Sequence, residues 1–331
     1  MRVTIAIATY NRADELRLTL ESLSRIDGQD LEDWEILIVG NRCTDNTAAV
    51  AKSMAAAFGG RLRYVEEPRP GLSHARNRAV AESRFEVIAF LDDDVNVDRK
   101  WLNALASAYR EENCAAVGGR AYLVYPGSRP RWLGDDIEGL LTKVECGSER
   151  RTATADELYG VNLSFRRDWI DRVGVFRADL GRVGTRLIGD EERELLERVT
   201  QAGGQLIYEP AAVVGHRVPT SRLQRRWFWS RSFWGGLGSS QLISAEELSF
   251  RSLLRPSLHI VRRTYYFVRE CLRHGYASPE AFAQAARGVG YLGTWIGLAR
   301  RLLHRLCGRG RTEPAPTQDL QATICAADAR S

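Results

Sequence analysis

Phe90-Leu91-Asp92-Asp93-Asp94-Val95 is the stretch on which the reading of this chain turns, because the apolar run Val87 to Leu91 ends there in three consecutive carboxylates. A short run rich in Val, Ile and Phe, bounded by polar residues, reads as a buried strand of an α/β sheet. Ligands in such sheets sit beyond the carboxyl ends of the strands. Three adjacent acids repel one another unless they share a cation. Carboxylate oxygens suit Mg²⁺ or Mn²⁺, and Mg²⁺ takes one or two of them and completes its shell with water and substrate phosphates. The expectation is a site for a metal and a diphosphate. The competing reading is a solvated acidic turn ahead of a helix that begins near Arg99.

Upstream of this stretch, strand and helix alternate. Val3 to Ala8 reads as a first strand, followed by the polar turn Thr9-Tyr10-Asn11-Arg12 and an amphipathic stretch with Leu16, Leu20 and Leu23 on one helical face. Trp34 to Val39 is the second strand. The turn Gly40-Asn41-Arg42-Cys43-Thr44-Asp45 follows, with Thr44 or Asp45 expected to cap a helix running through Met54 to Phe58. Arg61 to Val65 reads as a third strand, and Gly71-Leu72-Ser73-His74-Ala75-Arg76-Asn77 enters a helix through Ala81. This rhythm implies right-handed crossovers and a mainly parallel sheet. The turns at Thr9, Gly40 and Asp92 then fall at one edge, where they can converge on one ligand.

Spacing sets aside several other acidic or phosphate-binding loops. An EF-hand would need Gly where Val97 stands and Glu where Asn103 stands. A phosphatase of the haloacid dehalogenase type places Thr or Val where Asn96 stands, and its nucleophile usually follows the first strand. Neither GxxxxGK[ST] nor GxGxxG occurs, so ATPase and dinucleotide-binding readings gain no support.

The length of 331 residues and the 44% hydrophobic content fit one large or two modest globular domains. Six scattered cysteines form no CxxC pair and suit a reducing cytosol. Met1-Arg2 leads straight into the first strand, so no secretory leader is expected. Charge is unevenly spread. From Arg217 to Arg311 seventeen arginines face four acids, a net +13, which leaves −8 on the rest of a chain whose total is +5. Such a segment attracts anionic partners. Zinc-finger spacing, RNP-like aromatics and a basic zipper are all missing, so nucleic acid is not expected and an anionic membrane surface is the better match.

Taken in order, these motifs resemble family 2 glycosyltransferases, inverting enzymes of GT-A fold, from Val3 to about Ser239. Thr9-Tyr10-Asn11-Arg12 resembles the family's nucleotide-contacting turn, Gly71 with Ala75-Arg76-Asn77 its second nucleotide-side loop, and Asp92-Asp93-Asp94 its DxD metal motif. Gly160-Val161-Asn162-Leu163-Ser164-Phe165-Arg166-Arg167 is similar to the GxNxxFRR strand, followed here by Gly174-Val175-Phe176 and Leu180-Gly181. Gly189-Asp190-Glu191-Glu192-Arg193-Glu194-Leu195 resembles the acidic ED motif that opens a helix. The resemblance implies an α/β, GT-A-type sheet and a nucleotide-diphosphate sugar donor, UDP-linked by preference. It also implies nucleotide-sugar contacts from Thr9, Tyr10, Asn11, Arg12, Asn41, Arg76, Asn77, Asp92 and Asp93. Two departures stand out. Gly40-Asn41 replaces the usual Asp pair or Asp-Asn, removing a carboxylate that reads uracil, although Asn41 still offers both a donor and an acceptor. Glu191-Glu192 replaces Glu-Asp.

The chemistry follows from the groups. An acceptor hydroxyl attacks the anomeric carbon while diphosphate leaves, so negative charge must be stabilised on the leaving side. Mn²⁺ or Mg²⁺ held by Asp94, with Asp92 nearby, does this, and the resemblance implies His216 as a further ligand. On the attacking side a carboxylate must take the hydroxyl proton. Glu192 is the first candidate and Glu191 the second, against a solvated first turn for Asp190 and Glu194.

The segment from Arg225 to Trp234 is both aromatic and basic, and reads either as a sugar, diphosphate or membrane contact or as core. Leu253 to Leu272 and Phe282 to Leu306 read as helices. The uncharged stretch Gly288 to Ala299 has only 12 residues, short of the roughly 20 a spanning helix needs. Interfacial packing or a helical cover remain as readings. The expected organisation is a catalytic domain over 1–239, a basic helical extension over 240–307 and a flexible tail over 308–331. The acceptor implied is a glycan or a lipid-linked glycan at the cytoplasmic membrane face. Two alternatives stand: a catalytically silent nucleotide- or lipid-binding partner subunit, and a nucleotidyltransferase of related fold.

Overall fold

The computed structural model describes residues 1–307. In chain order its elements are β1 (Arg2–Thr9), α1 (Ala13–Leu23), β2 (Asp33–Asn41), α2 (Thr47–Met54), β3 (Leu62–Glu67), α3 (Leu72–Glu82), β4 (Val87–Leu91), β5 (Val95–Val97), α4 (Trp101–Ala108), β6 (Cys114–Val124), β7 (Arg151–Thr152), β8 (Asn162–Arg166), α5 (Arg167–Val173), α6 (Glu191–Gln201), β9 (Gln205–Arg217), α7 (Arg225–Ser240), α8 (Leu254–His274) and α9 (Pro279–Leu306). The tail expected to be flexible lies outside the described residues.

The strands form one sheet in the order β3-β2-β1-β4-β8-β6-β9-β5, with β7 beside β9. β1 runs parallel to β2 and β4, and β2 parallel to β3. Strands covered on both faces read as continuous apolar runs, and Ile5, Ile7, Ile36, Leu37, Ile38, Val87 and Ile88 are fully buried. The carboxyl ends of β1, β2 and β4 therefore share one edge, as the alternation of elements predicts. Beyond β4 the sheet becomes mixed. β8 is antiparallel to β4 and β6, and β9 is parallel to β6 but antiparallel to β5. The β5–β9 register sets Val95 opposite His216, and the Arg217 amide donates to the Asp94 carbonyl at 2.8 Å.

Local chemistry adjusts the expected boundaries. The N-cap of α2 is Asn46, which makes no side-chain capping bond. Asp45, one residue earlier, accepts from the Thr47 amide at 3.1 Å and from Thr47 Oγ1 at 2.5 Å, so an Asx-type turn performs the cap. β3 begins at Leu62 and continues to Glu67 because its parallel ladder with β2 extends to the Asn41–Glu67 pair. The motif strand β8 is fastened by its own polar side chains. Asn162 Oδ1 accepts from Trp101 Nε1 at 2.8 Å, while its Nδ2 donates to the carbonyls of Arg120 and Ala212. Arg166 donates to the carbonyls of Cys114 and Tyr109, and Arg167 to those of Val80 and Ser83.

The chain groups into two units. The first comprises Met1–Pro126, Leu141–Thr185 and Glu191–Val218; the second comprises Gly127–Leu140, Arg186–Asp190 and, among the described residues, the chain from Pro219. In the second unit Phe228, Phe233 and Trp234 of α7 are buried and Trp227 is half-buried. Phe228 meets Trp132 edge-on at 5.3 Å and Phe282 at 6.0 Å, so much of the aromatic segment is core. α7 and α9 approach closely through small residues. A Cβ on Gly236 would lie 1.8 Å from the Gly290 carbonyl oxygen, and one on Gly293 would lie 2.2 Å from that of Phe233. This close packing accounts for the uncharged stretch of α9. Among the described residues no helix is long and apolar enough to cross a membrane.

Asn162→Ala removes three hydrogen bonds and strands the indole donor of the fully buried Trp101. Since each buried polar group left unpaired costs about 1–3 kcal/mol, the urea midpoint is expected to fall by the equivalent of about 3 kcal/mol with an unchanged slope. A loss below about 1 kcal/mol would show that the Asn162 network contributes little.

Candidate active site

The acid triplet sits in the loop that leaves β4 and enters β5, and its three carboxylates have different surroundings. Asp93 is buried, accepts from Thr9 Oγ1 at 2.7 Å and pairs with Arg12 Nη1 at 2.7 Å. Burial pushes its carboxyl up to about 7; Arg12 opposes this, while the Asp94 and Asp92 charges reinforce it. Asp94 pairs with Arg12 Nη2 at 2.9 Å and lies 3.3 Å from His216 Nε2. Asp92 is half-buried.

Asp92, Asp94 and His216 each offer a ligand atom, and these atoms lie within 4.8 Å of one another. His216 is fully buried, and its Nδ1 lies 2.8 Å from the Leu141 carbonyl oxygen. A carbonyl only accepts, so Nδ1 carries a proton, which leaves Nε2, 3.3 Å from Asp94, as the nitrogen a metal would take. Two carboxylates with such an imidazole fit a divalent cation of the Mn²⁺ or Mg²⁺ type.

A second acidic group stands at the start of α6. Arg76, on α3, is 3% exposed, and its Nη1 lies 2.7 Å from Glu191 Oε1 and 2.8 Å from Glu192 Oε1. Its positive charge also reaches Asp92. The two glutamates differ sharply. Burial, reinforced by the charge of Glu192, pushes the Glu191 carboxyl up to about 8 against the pull of Arg76. Burial also opposes ionisation of Glu192, but the charge and hydrogen bond of Arg76 outweigh it and hold that carboxyl below its ordinary range. The Glu191 side chain is 2% exposed and that of Glu192 20%. Burial thus favours the protonated form of the enclosed Glu191, whereas Arg76 favours the ionised form of the more accessible Glu192.

The remaining candidates divide between open and structural positions. Tyr10 is 56% exposed at the end of β1. Asn11 adopts a positive φ of 51°, and its Oδ1 accepts from the Thr44 and Asp45 amides, tying the first loop to the second. Asn41 is buried with its amide fully engaged: Nδ2 donates to the carbonyls of Glu67 and Arg69, and Oδ1 accepts from the Gly71 amide. Asn77 exchanges two hydrogen bonds with the backbone of Phe176. Asn41 and Asn77 therefore shape loops in this structure.

Two contributors, Arg217 and Thr19, were not singled out in the sequence, and Gly160 was named there only as the first residue of the GxNxxFRR-like stretch. Arg217 donates to Val95 O, Thr19 Oγ1 and Glu15 Oε2, anchoring the strand end that carries His216. Thr19 Oγ1 in turn donates to the Asp93 carbonyl at 2.6 Å. Gly160 is needed for its missing side chain, since a Cβ there would lie 2.1 Å from Arg76 Nη2 and 2.3 Å from Glu192 Oε1. The position of Arg217 directly after His216 was the available signal for the first.

Solved structures share this architecture. A mannosyltransferase from Pyrobaculum calidifontis, in complex with GDP-Man and Mn²⁺, matches with a TM-score of 0.54 over 99% of this chain and 79% of its own, at 20% identity. Residues 1–349 of S. aureus TarS, in complex with UDP, match with a TM-score of 0.50 over 95% of this chain and 94% of their own, at 14% identity. The fold is that of the GT-A class. The family described as Glycosyl transferase family 2 matches residues 4–174, more than half of the sequence, and the chain belongs to this family of glycosyltransferases. Relatives include the succinoglycan biosynthesis protein ExoM of Rhizobium meliloti, 27% identical over 76% of this chain and 78% of its own. The glucosyl-dolichyl phosphate glucuronosyltransferase of Haloferax volcanii is 27% identical over 71% of this chain and 75% of its own.

The raised Glu191 carboxyl links stability to pH. In the folded state it keeps its proton up to about 8, whereas in the unfolded chain it ionises near the ordinary glutamate value. Its contribution is present in full below the unfolded value and is lost as pH rises toward 8. Glu191→Gln has no such linkage, so the variant should gain stability relative to wild type between pH 5 and pH 8, by on the order of 1 kcal/mol per unit. Parallel stability curves over that range would remove the proton from Glu191.

Proposed function

We propose that this glycosyltransferase is an inverting, divalent-metal-dependent enzyme. It moves a sugar from a nucleoside-diphosphate sugar, with UDP the favoured carrier, to a hydroxyl of a glycan or lipid-linked acceptor in the building of cell-surface polysaccharide or glycolipid. The observation that carries this reading is the convergence of two opposite chemistries through Arg76: the ligand cluster Asp92, Asp94 and His216 on one side, and the ionised, accessible Glu192 on the other. The ligands of the solved neighbours, GDP-Man with Mn²⁺ and UDP, support the donor class. The succinoglycan and dolichyl phosphate names of the relatives support the acceptor class.

Asp94, Asp92 and His216 would hold the Mn²⁺ or Mg²⁺, which when bound supplies positive charge against the departing diphosphate. Thr9 and Arg12 fix Asp93 and so set the loop that presents these ligands. Tyr10 offers an exposed ring at the nucleotide side, while Asn11, Asn41 and Asn77 hold the surrounding loops in shape. Glu192 accepts the proton of the acceptor hydroxyl as its oxygen bonds to the anomeric carbon. The bond from that carbon to the diphosphate oxygen breaks, and the electron pair leaves with the nucleotide. A single displacement inverts the anomeric configuration. Glu191 is the second candidate for the base, a role open to it only in its ionised form, which burial disfavours. Residues 1–239 carry the catalysis, and the basic helical extension over 240–307 places the enzyme peripherally at the cytoplasmic face of the membrane, where a lipid-linked acceptor is presented.

Titration calorimetry of UDP-sugars, with GDP- and dTDP-sugars as comparators, should show donor binding with Mn²⁺ that weakens by at least about tenfold in EDTA or in Asp94→Ala. Equal affinity with and without the ion would end the metal reading. Glu192→Gln preserves shape but cannot take a proton, so kcat should fall by roughly 10²–10⁴-fold with donor affinity nearly unchanged. If turnover persists, the base lies elsewhere and Glu191→Gln is the next variant to assay.

A further inference from the structure

The face of α8 directed away from α9 carries a row of exposed apolar residues. Its opposite side is spoken for: Arg263 Nη1 donates to Gln284 Oε1 at 2.9 Å, and His259 stacks on Tyr291 at 4.4 Å. On the outer side Leu254, Leu258, Val261, Tyr265, Val268 and Leu272 recur at alternating steps of four and three and form one straight apolar stripe. All six are exposed, Leu258 and Val261 at 70% and Leu272 at 84%. None belongs to a packed cluster of the second unit.

Charge is arranged along this stripe rather than around it. At 100° per residue, Arg255, Arg262, Arg269 and Arg273 of α8 all project along one flank. The opposite flank carries Ser257, Thr264 and Cys271. The helix has one acid, Glu270, which is buried and paired with Arg269 Nε at 2.8 Å. The heptad spacing invites comparison with a coiled coil, and the flanks decide against it. A second copy packed antiparallel would set arginine against arginine. A parallel copy would set it against Ser, Thr and Cys, with no opposite charge in either case. Arg269 is paired with Glu270, so Arg255, Arg262 and Arg273 carry the net charge of this flank, and the surface that complements an apolar stripe bordered by such arginines is a layer of anionic headgroups over hydrocarbon.

We infer that the outer face of α8 is the membrane seat of this enzyme, with the apolar stripe entering the headgroup boundary of an anionic bilayer and the arginine flank resting on lipid phosphates. The inference rests on the peripheral placement proposed above and narrows it from a net basic segment to one face of one helix. α9 contributes packing to the second unit, and α8 contributes the contact.

The test is co-sedimentation of the intact chain with vesicles of phosphatidylcholine alone and of phosphatidylcholine mixed with phosphatidylglycerol. Wild type is compared with Leu258→Ser/Val261→Ser/Tyr265→Ser and with Arg255→Gln/Arg262→Gln, at low and raised salt. The altered side chains are exposed, and circular dichroism together with donor binding would establish that each variant is folded. Wild type should bind only the anionic vesicles. The triple variant should bind at least about a hundredfold more weakly, and the double variant about twentyfold more weakly at low salt. A folded triple variant that binds like wild type overturns the α8 assignment while leaving the peripheral placement on some other surface. Wild type remaining in the supernatant with anionic vesicles at low salt overturns both. A wild-type dimer by light scattering that the triple variant dissolves, without vesicle binding, makes a second copy the occupant and also overturns the inference.

Discussion

Carboxylates crowded at one edge of a sheet repel one another, and two guanidiniums, Arg76 buried and Arg12 half-buried, make the arrangement tolerable. Arg12 spans Asp93 and Asp94; Arg76 spans Glu191 and Glu192. Much of the local architecture serves these two contacts. The turn after β1 must bring Arg12 over the β4–β5 loop, and β8 must begin beside a glycine so that Arg76 and Glu192 can meet. Neither arginine can be removed lightly, because a buried acid that loses its partner costs about 3–5 kcal/mol. The same geometry separates the acids by role: burial favours the protonated form of Glu191, while Arg76 favours the ionised form of its more exposed neighbour.

What could be read in advance was what chemistry writes locally. Apolar runs such as Val87 to Leu91 declared their strands, the polar residues at their ends declared the ligand edge, and the ordered motifs declared the family. What escaped depended on pairing between distant segments. His216 was expected as a ligand only through the family resemblance; nothing in Gly215-His216-Arg217 itself announces that β9 will lie antiparallel to β5, the register that sets His216 opposite Val95 and near Asp94. Asn41 shows the reverse limit. Its amide could have faced a base, but three backbone groups at the end of β3 and in the loop after it occupy it. Asp45 rather than the true N-cap makes the capping bond for a similar reason, since a side chain can reach back into a helix from one residue earlier.

The two long C-terminal helices carry the same helical period to different ends. In α9 the recurring small residues admit α7 to within backbone contact, so a stretch without charge becomes packing. In α8 the recurring residues are large and apolar and remain on the outside. Hydropathy alone does not separate these cases, and side-chain size does. The interleaving of Gly127–Leu140 with the C-terminal helices in the second unit also follows from aromatic contacts such as Trp132 with Phe228 and Phe282, which no periodicity announces.

The pairing of Arg76 with Glu191 spans 115 positions of the chain, and this bears on how the protein is made. As the polypeptide leaves the ribosome, the alternating strands and helices of its first part emerge well before the α6 acids. Over that interval the guanidinium destined for the interior lacks both of its ion-pair partners and has only the charge of Asp92 to set against its burial, so the packing of α3 against the sheet gains its full electrostatic support only once the start of α6 has emerged.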